Sequence, residues 1–167
     1  MSEKKSVKLK VRGFQPGDLE EVIRIANRAF REIRAASRAA LGDRISDLLR
    51  PAGDAVSKGL EVKASLERNP ENCVVCEAEG RIVGFATFVL GANKIGVICN
   101  NGADLDAHIH GIGQAMYREI LRIFREKGML AARVETGLTD VFAPARHAYE
   151  RSGFDRCLPS VTYYMEL

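Results

Sequence analysis

A glycine-rich stretch is the first candidate for chemistry in this sequence. Residues 106–116 read DAHIHGIGQAM, with Gly111 and Gly113 just ahead of apolar residues that recur at helical spacing. Glycines let a backbone approach a ligand closely, and the free N–H groups and positive dipole end of a helix attract an anion. The same glycines also suit an ordinary turn. The stretch matches neither a dinucleotide fingerprint nor a P-loop, so those two nucleotide sites are not predicted.

Two histidines and a Cys-x-x-Cys pair raise the question of a metal site. His108 and His110 have no third ligand in the nearby sequence, so no metal is expected there. Cys73 and Cys76 fall in a strand-like run, where a spacing of three sends side chains to opposite faces. We therefore expect both thiols to pack as small hydrophobes, and we expect Cys99 in the core as well.

Sequence patterns before the glycine-rich stretch predict the elements that hold it. Residues 7–13 alternate apolar and basic side chains, as a strand with one wet face does. A helix is predicted from Asp18, which with Glu21 resembles a capping box. Two further helical pieces lie between residues 36 and 70, divided near Pro51. Two strand-like runs then surround Glu79-Gly80 as a hairpin, and KIGVICN follows as another strand.

The glycine-rich stretch leads into a helix that begins at Ile112 and ends near Gly128. LAARVET is strand-like, Pro144 suits the first turn of a last helix, and VTYYMEL is predicted to close the chain as a strand. Strands and helices in this order predict a mixed α/β sheet rather than an alternating doubly wound one.

Length and composition predict one domain over residues 1–167. The chain is 46% hydrophobic and 28% charged, which is typical of a globular protein that folds alone or as a small oligomer such as a homodimer. No run is long enough to span a membrane, and MSEKKSVKLK lacks the apolar part of a signal peptide, so a cytoplasmic location is expected. The net charge of +3 is too small to indicate nucleic acid, and it fits an anionic small ligand.

Two motifs together resemble the GNAT superfamily of N-acetyltransferases. The spacing from His108 to Gly113 is similar to the family's Arg/Gln-x-x-Gly-x-Gly/Ala motif. Residues 134–154, VETGLTDVFAPARHAYERSGF, are similar to its stretch with Glu-Thr-Gly, Ala-x-x-x-Tyr and Gly-Phe. The order of elements also agrees over nearly the whole chain. The resemblance implies an α/β (α+β) fold, with a central mixed, mostly antiparallel sheet that is splayed between two strands and flanked by helices.

The resemblance also implies that acetyl-coenzyme A is the acetyl donor. Its pantetheine would lie along the backbone near Asn101, Ala103 and Leu105, as if it were a strand. Its pyrophosphate would be held by consecutive backbone N–H groups, those of His108, Ile109, His110, Gly111, Ile112, Gly113, Gln114 and Ala115. Histidine stands at 108 where the family usually has Arg or Gln, and an imidazole carries charge only when protonated.

The family transfers acetyl by direct attack of an amine, which implies roles for two residues. Tyr149 occupies the position of an acid that protonates the departing thiolate. Glu135 is the candidate base that acts on the amine through water, because an ammonium has no lone pair. The interval between them is two residues longer than the usual pattern, and Phe142 stands where asparagine is common. A packed tyrosine and an ordinary exposed glutamate are the alternatives.

The acceptor is less defined by the sequence. A small-molecule amine is preferred to a protein N-terminus or lysine, because no acidic patch for basic peptides is evident. The segment from 30 to 70 should cap the acceptor side. Arg24, Arg28, Arg31 and Arg38 fall on one helical face, which we interpret as solvated surface rather than an anionic acceptor site. A non-catalytic module that binds an acyl-coenzyme A is the rival function.

Overall fold

A computed structural model describes residues 7–167 of the chain. Residues 1–6 lie outside this range. The one-domain prediction and the argument against a signal peptide depend partly on them. The described residues form five strands and five α-helices. In chain order these are β1 (Leu9–Gly13), α1 (Leu19–Ala29), α2 (Arg31–Leu49), α3 (Ser57–Arg68), β2 (Cys73–Ala78), β3 (Arg81–Leu90), β4 (Ile95–Ala103), α4 (Ile112–Glu126), β5 (Ala131–Val134) and α5 (Ala143–Arg151). None of these helices has the length and apolarity needed to cross a membrane.

The five strands form one sheet in the order β1-β2-β3-β4-β5. Neighbours are antiparallel except β4 and β5, which are parallel, so the predicted mixed and mostly antiparallel sheet is confirmed. The pairing with β5 covers only Ile95–Ile98, whereas β4 continues to Ala103. Over residues 99–103, therefore, β4 has no neighbouring strand on its β5 side within the described chain, and this is the predicted splay.

Apolar side chains pack against both faces of the sheet. On one face α1 and α3 cover a cluster that includes Cys73, and on the other α4 and α5 cover a cluster that includes Cys76. The two thiols thus point to opposite faces, as predicted, because side chains alternate along β2. Burial raises the pKa of the Cys73 thiol to about 12 and that of Cys76 to about 11. Both cysteines pack as hydrophobic residues.

The residue pair between β2 and β3 makes the tight turn that the sequence predicts. Glu79 has a φ of 51° and Gly80 a φ of 75°, both in the left-handed region. Two consecutive residues of this kind give the turn whose twist matches antiparallel strands. The hairpin is therefore determined locally.

Asp18 has a different role from the predicted cap with Glu21. Its carboxylate accepts a hydrogen bond from the backbone N–H of Gln15 at 2.8 Å and pairs with the Arg12 guanidinium at 2.7 Å. Arg12 lowers the pKa of Asp18 below its usual range. Glu21 pairs instead with Arg24. The prediction of a capping box was wrong because a short 3₁₀ turn precedes α1 and directs Asp18 toward β1.

The C-terminal segment is not the strand that its alternation predicts. Residues 154–167 adopt neither helix nor strand, and after Phe154 their large apolar side chains, such as Leu158 and Leu167, are exposed. An alternating segment becomes a strand only where a neighbouring edge supplies its hydrogen bonds. No strand of the described chain pairs with this segment, so its pattern alone does not form one.

A β-bulge interrupts β4 opposite Thr87. The pairs on either side of the bulge are Phe88–Ile98 and Ala86–Asn101. Thr87 therefore faces two residues, Cys99 and Asn100, and its hydroxyl accepts the Asn100 N–H at 3.0 Å. Because one extra residue is inserted, Ile98 and Asn101 face the same side of the sheet although they are three positions apart. The bulge thus turns Asn101 toward α4 and α5.

Candidate active site

Three polar side chains meet beside the unpaired half of β4. The Tyr117 hydroxyl on α4 donates to Asn101 Oδ1 at 2.8 Å, and Asn101 Nδ2 donates to the Tyr149 hydroxyl on α5 at 3.2 Å. The two rings pack with their centroids 5.1 Å apart. Both phenols are buried, and burial raises the pKa of Tyr117 above its usual range, so Tyr117 remains a protonated donor.

The bulge explains why residues that are distant in sequence meet here. Asn101 and Tyr149 are 48 positions apart, and the sequence predicted each without indicating that they touch. Tyr117 was not predicted. The available signal was its position one helical turn after Gly113, which places the two residues on the same face of α4. A Cβ at Gly113 would lie 3.3–3.5 Å from the Tyr117 ring, so glycine leaves room for this phenol.

The N-terminus of α4 is open. Gly111 is its N-cap with a left-handed φ of 85°, no side chain caps it among residues 7–167, and its first turn holds no acid. The first N–H that bonds back into the helix is that of Ala115, 2.9 Å from the Gly111 carbonyl. The preceding N–H groups of Ile112, Gly113 and Gln114 therefore lack helical partners and stand at the positive end of the dipole.

The residues before α4 alternate between solvent and core. His108 and His110 are exposed, and His108 has a left-handed φ of 51°. Ile109 between them packs against the apolar cluster under α4. Leu105 begins a short 3₁₀ turn that connects β4 to this segment. The imidazoles thus point away from the core, as polar side chains beside a bound anion would.

Two arginines of α1 hold the segment between β4 and α4. Arg24 pairs with Asp104 at 2.8 Å, and Arg28 pairs with Asp106 at 3.0 Å. Arg38, from the same predicted face, pairs with Asp43, Asp47 and Asp54. These arginines still lie at the surface, as the solvated-face interpretation has it, but acidic partners that a helical wheel does not show pair with three of them.

A cavity of about 260 Å³ lies between α4 and α5. Its lining residues are Gln114, Arg118, Leu121, Arg125, Arg151 and Ser152. Within residues 7–167 the three arginines have no ion-pair partner, whereas Arg122 on the same helix pairs with Glu119 and Glu126. The lining runs along one side of α4 from Gln114, in its first turn, to Arg125 in its last, so one end of this basic cavity lies near the helix N-terminus.

Glu135 and Cys99 lie outside this cluster. The Glu135 carboxylate is exposed and pairs with Arg133 at 2.6 Å, and no described hydrogen bond joins it to Tyr149. Cys99 is exposed rather than in the core, because it belongs to the bulge. Partial desolvation raises the pKa of its thiol more than the Lys58 ammonium lowers it. Cys99 is therefore a poor nucleophile.

Comparison with known families decides the class of this site. A profile of the acetyltransferase (GNAT) family matches residues 25–154. The chain belongs to the GNAT acetyltransferase family. Both the predicted family and the predicted acyltransferase class are thereby confirmed. Among curated protein sequences the chain has no match.

Solved structures share the GNAT fold of this chain at low identity. Ard1 from Thermoplasma volcanium is 23% identical with a TM-score of 0.63, over 90% of this chain and 84% of that one. PaiA N-acetyltransferase from Thermoplasma acidophilum, in complex with coenzyme A, is 16% identical with a TM-score of 0.63, over 89% and 90%. Aminoglycoside acetyltransferase meta-AAC0020 from an uncultured soil metagenomic sample, in complex with sisomicin, is 16% identical with a TM-score of 0.57, over 99% of both chains. These similarities show the fold alone.

Proposed function

We propose that this GNAT protein transfers acetyl from acetyl-coenzyme A to a primary amine of a small molecule. The observation that carries the proposal is one juxtaposition at the end of β4. There the unpaired strand edge lies next to both the open helix N-terminus and the buried Tyr149 phenol. The first two features suit the pantetheine and pyrophosphate of the donor, and the third suits a leaving thiolate. The predicted homodimer and cytoplasmic location stay predictions.

The residues present fit coenzyme A. The backbone of Asn101 and Ala103 belongs to the unpaired part of β4, which can pair with pantetheine amides as it would with a strand. The N–H groups that follow Gly111 lack helical partners and can donate to a pyrophosphate. When bound, acetyl-coenzyme A supplies an acetyl group as a thioester. Backbone N–H groups near Asn101 would then stabilise charge that develops on its carbonyl oxygen.

Tyr149 is the proposed proton donor. As the amine nitrogen bonds to the acetyl carbon and the carbon–sulfur bond breaks, Tyr149 gives its proton to the sulfur. The amine loses its protons to solvent or to Glu135, and the Tyr149 phenolate is reprotonated from the same pool. Glu135 can serve as base only when its carboxylate separates from Arg133 or acts through a water molecule. Direct transfer to the amine is favoured over transfer through an acetylated cysteine. The exposed Cys99 has a raised pKa and therefore remains a thiol rather than a nucleophilic thiolate.

The arginine-lined cavity is proposed to hold the 3′-phosphate of coenzyme A. Combined Arg118→Gln and Arg151→Gln substitutions are expected to weaken coenzyme A binding about tenfold, because each removes an unpaired charge from the cavity. Dephospho-coenzyme A, which lacks the 3′-phosphate, should lose less than about twofold. Isothermal titration calorimetry of both ligands at fixed salt measures the difference.

Arg122→Gln is the matched control for these arginines. Its guanidinium is already held by Glu119 and Glu126, so this variant should bind both ligands as the original chain does. Equal losses for coenzyme A and dephospho-coenzyme A in the double variant would contradict the 3′-phosphate assignment.

A small acceptor is favoured by the charges near α2 and α3. Asp43, Asp47 and Asp54 share Arg38, and Asp54 also pairs with Arg50, so the cluster keeps a net charge of only −1 for a basic peptide. The test is amine-dependent release of free coenzyme A, measured with a thiol reagent over polyamines, aminoglycosides, amino acids and basic peptides. We expect release with a small amine. Binding of acetyl-coenzyme A without release on any amine would contradict the transfer reaction.

A further inference from the structure

We infer that Tyr117 is a positioning residue that, through the Asn101 amide, leaves the proton of the Tyr149 hydroxyl available for donation. The inference rests on the proposed function, in which Tyr149 gives this proton to the leaving sulfur. Tyr117 itself lies beneath the helix N-terminus and needs no contact with substrate. Its effect is carried by two hydrogen bonds in series.

The first bond fixes the direction of the amide. Tyr117 is only 4% exposed and its hydroxyl lies 2.8 Å from Asn101 Oδ1. Burial disfavours its phenolate, so the hydroxyl keeps a proton, and the contact with Oδ1 uses this proton as the donor. A donor requires the oxygen end of the amide to face it, because the Nδ2 end has only protons to offer. Asn101 is thereby held with Nδ2 on the opposite side.

The second bond sets the role of Tyr149. Asn101 Nδ2 donates to the Tyr149 oxygen at 3.2 Å, and Asn101 Oδ1 is a more distant acceptor for the Tyr149 hydroxyl at 3.4 Å. When the Tyr149 oxygen accepts a hydrogen bond from Nδ2, its own proton is free to be donated elsewhere. The same bond stabilises the phenolate that remains after donation. If the Asn101 amide were turned so that Oδ1 took the place of Nδ2, this oxygen would accept the hydrogen bond of the Tyr149 hydroxyl. It would then compete with the sulfur for the Tyr149 proton.

The surrounding contacts keep this arrangement in place. Asn101 Nδ2 also lies 3.3 Å from the Cys99 carbonyl in the bulge, a second acceptor that favours the same amide direction. Of the elements packed on the Tyr149 ring, α4 contributes Tyr117, and the C-terminal segment contributes Phe154, whose ring is 6.1 Å away. Phe154 has no polar side-chain atom. Asn101 supplies the geometrically defined side-chain hydrogen bonds of the Tyr149 hydroxyl among residues 7–167, and the Tyr117 hydroxyl is close enough to interact with it as well.

Tyr117→Phe tests the inference while keeping the buried ring. We expect kcat to fall about tenfold, with the KM for acetyl-coenzyme A changed by less than about twofold, because only proton delivery is affected. In a Tyr149→Phe background the same substitution should cause no further loss, since no proton remains to be oriented. Tyr163→Phe removes a hydroxyl that is 89% exposed, and this matched control should leave kcat unchanged. An undiminished loss in the Tyr149→Phe background would overturn the inference.

A second measurement separates this inference from the proposed function. If no amine is acetylated, the proposed function fails, and the direction of the amide is still observable by NMR. Nuclear Overhauser contacts from the Asn101 side-chain NH₂ should be stronger to the Tyr149 ring than to the Tyr117 ring, and Tyr117→Phe should reduce this preference. An NH₂ group that faces Tyr117 in the original chain would refute the inference on its own.

Discussion

Gly111→Asp is expected to weaken coenzyme A binding about 10- to 100-fold relative to Gly111→Asn. The two side chains have nearly the same shape, both tolerate the left-handed φ of 85°, and both cap a helix well. They differ in one negative charge, placed where the proposed pyrophosphate carries its own. Like charges about 5 Å apart at a partly shielded site repel by about 1–3 kcal/mol, which gives a loss of this size. Titration calorimetry of coenzyme A with both variants measures it.

The opposite end of α4 provides a control for this substitution. Gly128 also has a left-handed φ, 72°, and a Cβ there would meet nothing within 4 Å. Gly128→Asp adds the same charge just beyond the last residue of α4, at the far end of the helix axis from the open N-terminus. It should leave coenzyme A affinity within about twofold. Equal affinities of the Gly111→Asp and Gly111→Asn variants would contradict the proposal that the pyrophosphate binds at this end of the helix.

Tyr149→Phe is expected to lower kcat by about 10²-fold, which is the low end of what a general acid contributes. The phenylalanine ring preserves the packing against Tyr117 and Phe154, so the fold should be retained. Affinity for coenzyme A should change little, because the backbone around α4 supplies most of the proposed contacts. Single-turnover transfer and calorimetry, measured on the same preparation, separate the two quantities.

Removal of an exposed hydroxyl controls for a general effect of the substitution. Tyr164→Phe lies in the C-terminal segment, outside the hydrogen bonds around Asn101, and should transfer acetyl at the original rate. If Tyr149→Phe also retained the original kcat, the proton would have to reach the sulfur from solvent. Tyr149 would then be an ordinary packed aromatic residue.

Local patterns account for the features that the sequence predicted correctly. The Glu79-Gly80 turn and the opposite faces of Cys73 and Cys76 depend only on backbone preferences and on alternation within a strand. The glycine before α4 likewise has the left-handed conformation that its type permits. Each of these features involves residues within one element or its immediate boundary, so a short window of sequence contains the needed information.

The features that were missed depend on register between distant segments. Cys99 is exposed because a bulge forms opposite Thr87, and no residue type in β4 indicates a bulge. The partners of Arg24 and Arg28 lie beyond β4, so a helical wheel shows these arginines as merely solvated. The site residues themselves stay predictions. The structure places Tyr149 beside Asn101, and it pairs Glu135 with Arg133 outside this cluster.

The bulge has a further consequence for the unpaired edge of β4. In a strand, the N–H and C=O of each residue point to one side, and those of the next residue to the other. Moving the extra residue one position along β4 would exchange Asn101 for Asn100 opposite Ala86 and keep the same residue type there. It would also exchange, between Asn100 and Asn101 alone, which residue's main-chain N–H and C=O face the splay. By holding the Asn100 backbone, Thr87 therefore determines which of these two residues offers its main-chain groups to a strand-like ligand.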